Sequence, residues 1–184
     1  MSISAPETEL AALLDRLNAA VPDSRTGLPQ NLFYLVSRLT PLVNVDLLIQ
    51  DDRLGTLLTW RADEFYGPGW HVPGGIIRFK ETAAARIAAV ASTELGAKVH
   101  AEPTPFIVSE ILSPRRDVRG HFISLLYRCT LVTSPSMVFK FVDNVPKNGM
   151  WCWFKRCPDN LIQVHEIYRC HIDATDMRTD CYIP

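Results

Sequence analysis

Four residues in the stretch GGIIRFKETAAARIAAVASTELGA, residues 74–97, have types and spacing suited to holding a cation beside a phosphate. Gly74 and Gly75 follow Val72-Pro73, and a glycine pair lets the chain turn with amides or carbonyls directed at a ligand. Glu94 lies at the far end of the intervening helix, ahead of Leu95-Gly96. A carboxylate facing a glycine turn across one helix can seat a hard, oxygen-binding cation. Glu81 stands between them, just before a run of small residues from Ala83 to Ala91 that is broken only by Arg86 and Ile87 among larger side chains, with Val90 near its end. That run favours helix and close approach to a sheet, so taken alone it reads as a packing helix that Gly96 terminates.

The elements that must position these residues are legible from periodicity. Leu10, Leu13, Leu14 and Leu17 recur at helical spacing over residues 6–20, and the turn-rich residues 21–29 follow. QNLFYLVSRL reads as a short helix ended before Pro41. LVNVDLLI is a strand interrupted by Asp46, joined by QDDRLG to TLLTWRA in a hairpin. WHVPGG is a short strand leading into the glycine pair. Further strands are expected in VHAEPTPFIVSEIL, GHFISLLYRCTLV and MWCWFKR, and a closing helix in DNLIQVHEIYRC. Strands on both sides of one central helix predict an α+β class rather than regular βαβ alternation. The expected organisation is an N-terminal helical extension and linker over residues 1–28, then one domain over 29–184.

Composition narrows the function classes. The chain has 184 residues, 47% hydrophobic and 21% charged, with net charge −1. That suits one globular core and supplies no global field for recruiting nucleic acid or an acidic membrane. No apolar run suffices for a membrane span and the N-terminus lacks a signal pattern, so a cytoplasmic protein is expected. Cysteines 129, 152, 157, 170 and 181 form an odd set, which argues for reduced thiols. Cys152, Cys157, His165, Cys170 and His171 raise the question of zinc, but lack a tight pair of cysteine ligands. The four tryptophans, Trp60, Trp70, Trp151 and Trp153, are divided between core packing and a base-stacking platform.

The stretch at 74–97 resembles the Nudix box, which fixes a Gly, a Glu, an Arg-Glu pair, a Glu-Glu pair and a closing Gly at set separations. Gly75, Glu81, Glu94 and Gly96 match it, whereas Ala89, Val90 and Thr93 replace the Arg and two of the Glu residues. The resemblance implies a Nudix fold, with a mixed β-sheet sandwiched between helices. Glu94 is the one carboxylate left in the cluster. One Mg2+ ion completed by waters and substrate phosphates is therefore expected, and a multi-ion cluster is not.

Within the family the chain is most similar to the GDP-mannose mannosyl hydrolase branch, which has a shortened box and a single metal-binding Glu. RLTPLVNVDLLI, WRADEFYGPGWHVPGG, ETAAARIAAVASTELGA and GHFISLLYRC carry this resemblance, from about Gln30 to Trp153. It implies hydrolysis of a nucleotide-diphosphate sugar by attack of water at the anomeric carbon, in a homodimer. By the same resemblance Glu94 and the carbonyl of Gly74 bind the metal, Arg61 stabilises the departing diphosphate, and Asp46 contacts the ligand. A permanently charged, two-pronged guanidinium suits that task. Arg78 stands near the place of the branch's arginine, which is Ile76 here, and Phe122 replaces a tyrosine. The branch's catalytic histidine has no counterpart in DNVPKNGMW. His121, His71 and Asp143 are the candidates to replace it, His121 being taken with Arg61 and Asp46 as the catalytic set. Arg86 is the candidate partner for Glu81. Two other readings share the fold. One is ordinary attack at phosphorus, which the absent glutamates count against. The other is a non-catalytic nucleotide-sugar binding module, which the alanines and the missing imidazole favour.

Overall fold

The computed structural model describes residues 5–142 and 145–173. Helices α1 (Ala5–Ala20) and α2 (Gln30–Leu39) precede strand β1 (Leu42–Asp51). Strands β2 (Gly55–Arg61), β3 (Gly69–His71) and β4 (Gly74–Ile76) lead into α3 (Ala83–Val90). Then come β5 (Val99–Ala101), β6 (Ile107–Leu112), β7 (His121–Leu131), β8 (Trp151–Phe154) and the short α4 (Arg169–Asp173). This is the expected α+β architecture.

The eight strands form one connected, mixed sheet. β1 runs parallel to β7 over eight residue pairs, from Leu42↔Phe122 to Ile49↔Cys129. All other neighbours are antiparallel: β2 and β4 on β1, β5 and β6 on β7, and β3 and β8 on β2. β1 is the shared spine. Val45 through Ile49 are all buried, because both faces of this strand are covered. Val45, Leu47 and Ile49 pack with Ile87, Val90 and Leu95 of the α3 segment on one face. Leu48 packs with Trp70, Tyr168 and Ile172 on the other, so the C-terminal segment forms the second layer.

Two expected strands are divided, each for a reason visible in the sequence. WHVPGG breaks at Val72-Pro73, where the chain leaves β2 and crosses to β1 as β4. The crossing sets Gly74 directly opposite Asp46. VHAEPTPFIVSEIL breaks between β5 and β6 because Pro103 and Pro105 cannot donate to a ladder. The closing helix also begins later than expected. Leu161 is held extended against β3, with Trp70 N–H bonded to Asn160 O at 2.9 Å and Ile162 N–H to Trp70 O at 2.9 Å. A 3₁₀ turn from Gln163 to Tyr168 then precedes α4.

α3 starts where the sequence places it. Thr82 Oγ1 accepts from Ala85 N–H at 3.1 Å, capping an otherwise unsatisfied donor. Past Val90 the helix widens into a π turn, Ala91–Leu95, which ends at Gly96 in the left-handed region with φ +59°. α1 is exposed along its described length, its leucine stripe included. No helix among the described residues is long and apolar enough to cross a membrane.

Candidate active site

The crossing at Pro73 and the end of the α3 segment bring the two halves of the 74–97 stretch together. In the antiparallel β1–β4 pair the ladder bonds flank Gly74: Leu47 N–H donates to Pro73 O at 2.8 Å, and Ile77 N–H to Val43 O at 2.9 Å. Gly74 therefore occupies a non-hydrogen-bonded position, with its N–H and C=O both turned away from β1. The N–H meets Glu94 Oε1 at 3.4 Å, and Glu94 Oε2 accepts from Thr59 Oγ1 at 2.8 Å. Glycine is required here by space: a β-carbon on Gly74 would collide with Asp46 Oδ1 and lie 2.9 Å from Val45 O. A β-carbon on Gly75 would lie 2.8 Å from Val90 Cγ2, so Val90, at a position that is Glu in the family box, packs over the glycine.

Burial pushes the Glu94 carboxyl up to about 7, against the opposing pull of the Thr59 and Gly74 hydrogen bonds and the Arg61 charge, with Asp46 adding to the rise. Asp46 is also buried, and its pKa is raised by that burial to about 6, opposed by hydrogen bonds from Ser124, Tyr168 and Asn44. Its Oδ2 accepts from Ser124 Oγ and from Tyr168 OH at 2.9 Å, while Oδ1 takes Asn44 Nδ2 at 3.0 Å and lies against Gly74. Three donors thus orient the carboxylate, and Oδ1 is the oxygen on the Gly74 side.

Asp46, Arg61, Gly74 and Phe122 line one cavity of about 190 Å³, together with Asn44, His71, Arg119 and His165. Arg61 Nε is oriented by Asp63 Oδ2 at 2.5 Å, and Asp63 Oδ1 caps the turn by accepting from Phe65 and Tyr66 N–H, each at 2.8 Å. Arg61, Arg116 and Arg119 surround the Tyr66 ring at 5.1, 4.2 and 5.4 Å. Among the described residues Arg119 Nε is buried without a hydrogen-bond partner. Its burial, and Arg61 beside it, pull the guanidinium below its usual range. Crowded cations with an unmet donor make a wall suited to an anion. A groove of about 1020 Å³ adjoins this cavity across Tyr66, Ile111 and Val164.

Other sequence candidates lie elsewhere. His121 Nε2 meets Glu110 Oε1 at 3.0 Å and lines a separate depression with Ser37 and Arg38. Arg78 Nη1 donates to Arg25 O at 3.3 Å, away from the residues lining the cavity. Trp60, Trp70 and Trp151 are core residues, Trp153 packs against the core, and none of the four lines the cavity or the groove. Asp143 and Cys181 lie outside the described residues. Arg86 does pair with Glu81, through Nε at 2.8 Å and Nη2 at 2.7 Å to Oε2, tying α3 to the loop before it.

Several site residues gave no usable signal in the sequence. Arg119 sits in a polar turn with Arg115 and Arg116, and adopts φ +53° without being glycine. Tyr168 and His165 come from the C-terminal segment, more than 90 residues from their partners Asp46 and Val72. Asn44 and Ser124 were detectable in principle. Asn44 shares a strand face with Asp46, and Ser124 interrupts the apolar run of β7 directly beside Asn44.

The donor set fits a single hard cation. Glu94 and the Gly74 carbonyl supply two oxygens facing one side, leaving other positions for water and phosphate, as magnesium accepts. Among the described residues no group of three His, Cys, Asp or Glu could hold a metal unaided.

No family model matches the chain. The low-salt glycan biosynthesis protein Agl8 of Haloferax volcanii is 32% identical over 110 residues, spanning 58% of this chain and 69% of its own. A MutT protein from Methanosarcina mazei superposes with TM-score 0.54 at 14% identity, over 73% of this chain and 94% of that one. A MutT Nudix hydrolase from Burkholderia pseudomallei gives 0.53 at 20% identity, over 70% and 95%. A UDP-X diphosphatase gives 0.52 at 18% identity, over 91% of this chain and 78% of the other. The mixed sheet, the helix held between Gly75 and Gly96, and these structural likenesses agree: the chain has the Nudix fold, and in sequence it is a relative of Agl8.

Proposed function

We propose that the chain hydrolyses a nucleotide-diphosphate sugar of the GDP-mannose kind, by attack of water at the anomeric carbon. The observation that carries this reading is the convergence of Arg61, Asp46 and Gly74 on one small cavity, with Glu94 as the single carboxylate on the box helix beside it. A carbon–oxygen bond to water forms, the bond from the sugar to the diphosphate breaks, and the electron pair leaves on the diphosphate. Arg61 and Arg119 bind the diphosphate oxygens and stabilise the charge that gathers there. Asp46 Oδ1, oriented by Asn44 and by the neighbouring Ser124 and Tyr168 bonds, accepts the water proton. Assigning that role to Asp46 removes the need for an imidazole base. Developing positive charge on the sugar also lowers the demand for strong base assistance. Phe122 and Tyr66 provide apolar wall, and the nucleoside extends past Tyr66 into the adjoining groove.

Glu94 with the Gly74 carbonyl would hold one Mg2+, which when bound neutralises diphosphate charge. Attack at phosphorus is disfavoured because Ala89, Val90 and Thr93 leave the helix without the carboxylates of a multi-ion site. The homodimer implied by the resemblance belongs to the same proposal, and the exposed leucines of α1 support it. A panel of nucleotide sugars assayed with and without magnesium tests the function. Release of free sugar with magnesium is expected; binding without turnover across the panel would leave a non-catalytic binding module instead.

A further inference from the structure

The peptide of Val72 lies between two buried imidazoles and hydrogen-bonds both. Its carbonyl meets His71 Nδ1 at 2.8 Å, and its N–H meets His165 Nδ1 at 3.1 Å. A carbonyl can only accept and an amide N–H can only donate, so the two partners fix opposite tautomers. Neutral His71 carries its proton on Nδ1 and turns Nε2 to Thr59 Oγ1 at 3.0 Å. Neutral His165 carries its proton on Nε2.

That Nε2–H has no protein partner among the described residues, and it is not one of the buried atoms shut away unsatisfied, as His171 Nε2 is. His165 lines the small cavity with Arg61, Asp46 and Phe122, so its free edge is the one presented there. The ring is held in place by more than the Val72 bond. It is 8% exposed, with His71 at 5.8 Å and Tyr168 at 5.3 Å between ring centroids. Its backbone N–H bonds Ile162 O at 2.9 Å, in the segment anchored on β3.

We propose that His165 binds substrate as a neutral hydrogen-bond donor, giving its Nε2–H to an oxygen of the diphosphate. The proposal rests on the function proposed above and adds a ligand-contacting residue from outside the box. A base role does not fit, because the lone pair of the neutral ring is occupied by the Val72 amide. A neutral donor also suits this wall: Arg61 and Arg119 already supply positive charge, and a further cation would repel them. Burial and then Arg61 hold the imidazole well below its usual range, which keeps it neutral.

The test is long-range nitrogen–proton NMR on the isotope-labelled full chain at neutral pH, first alone and then with GDP and magnesium. The expected result is an Nε2-protonated His165 whose N–H shifts on addition of GDP, together with the Arg61 Nε–H. An Nδ1-protonated or doubly protonated ring would overturn the assignment. A GDP-induced shift at Arg61 with none at His165 would overturn the donor role and leave the substrate reading standing. Absence of any shift at either residue would remove both. His165→Phe, which loses the N–H, should reduce kcat/KM about 10- to 100-fold, and His165→Gln should recover part of it. Equal activity of wild type and folded His165→Phe would contradict the proposal.

Discussion

Glu94→Gln is expected to stabilise the metal-free protein at alkaline pH while removing its response to magnesium. Ionised Glu94 and the lone pair of His71 Nε2 both need a donor from Thr59 Oγ1, which lies 2.8 Å from the first and 3.0 Å from the second. Thr59 has one proton to give, so one acceptor goes short. Protonated Glu94 resolves the conflict by donating to Thr59, which then donates to His71. The Gln amide reproduces that pattern: Oε1 accepts from Gly74 N–H and Nε2 donates to Thr59. Burial has already raised the Glu94 pKa from 4.5 to about 7. A folded-state pKa above the unfolded value means that the folded state binds the proton more tightly, so wild-type stability falls as pH rises from about 4.5 to about 7 and is level above. A rise of that size corresponds to about 3 kcal/mol at most. The side chain keeps 23% exposure, and solvent screening brings the expected difference to about 1–2 kcal/mol. Urea unfolding in chelator should show Glu94→Gln ahead by that amount at about pH 8, with the gap shrinking at about pH 5. Magnesium should then stabilise wild type and not the variant, because only the folded wild type offers the site. A metal-free variant less stable than wild type at the higher pH, or a gap independent of pH, would refute this account of the carboxylate.

Other perturbations test separate parts of the site. Gly75→Ala puts a β-carbon 2.8 Å from Val90 Cγ2 and 3.3 Å from Arg86 Cδ, and should destabilise by about 1–3 kcal/mol in thermal or urea unfolding; an unchanged midpoint would contradict the packing argument. Arg61→Lys should lower kcat/KM for a nucleotide sugar at least 10-fold, because an ammonium cannot replace a two-pronged grip held by Asp63; equal activity of the lysine variant would remove Arg61 from the diphosphate site. A double-mutant cycle on Glu81 and Arg86 should give a coupling of about 1 kcal/mol, and additive effects would show that the pair does not tie α3 to its preceding loop.

The parts of the fold fixed by local pattern were legible in the sequence. The glycine pair, the capped start of α3, its end at Gly96, and the apolar strands follow from residue type and spacing alone. So did Asp46, which stood out as a charge within an apolar strand and proved to be buried at 2% exposure. Packing across long sequence separations was not legible. Nothing near Asp46 indicates that Tyr168 covers it, and nothing near Val72 indicates that His165 fills the space beside it. The closing helix was expected too early because its first residues read as helical, whereas Leu161 and its neighbours gain more by continuing the sheet along β3. Arg119 was hidden among similar arginines, since only the turn geometry selects which one faces the cavity.

The central claim is attack at the sugar carbon, and the position of oxygen from isotopically labelled water tests it most directly. After turnover of GDP-mannose with magnesium, the account predicts label in the released mannose and none in GDP. Label in a phosphate-containing product would place the attack at phosphorus and contradict it.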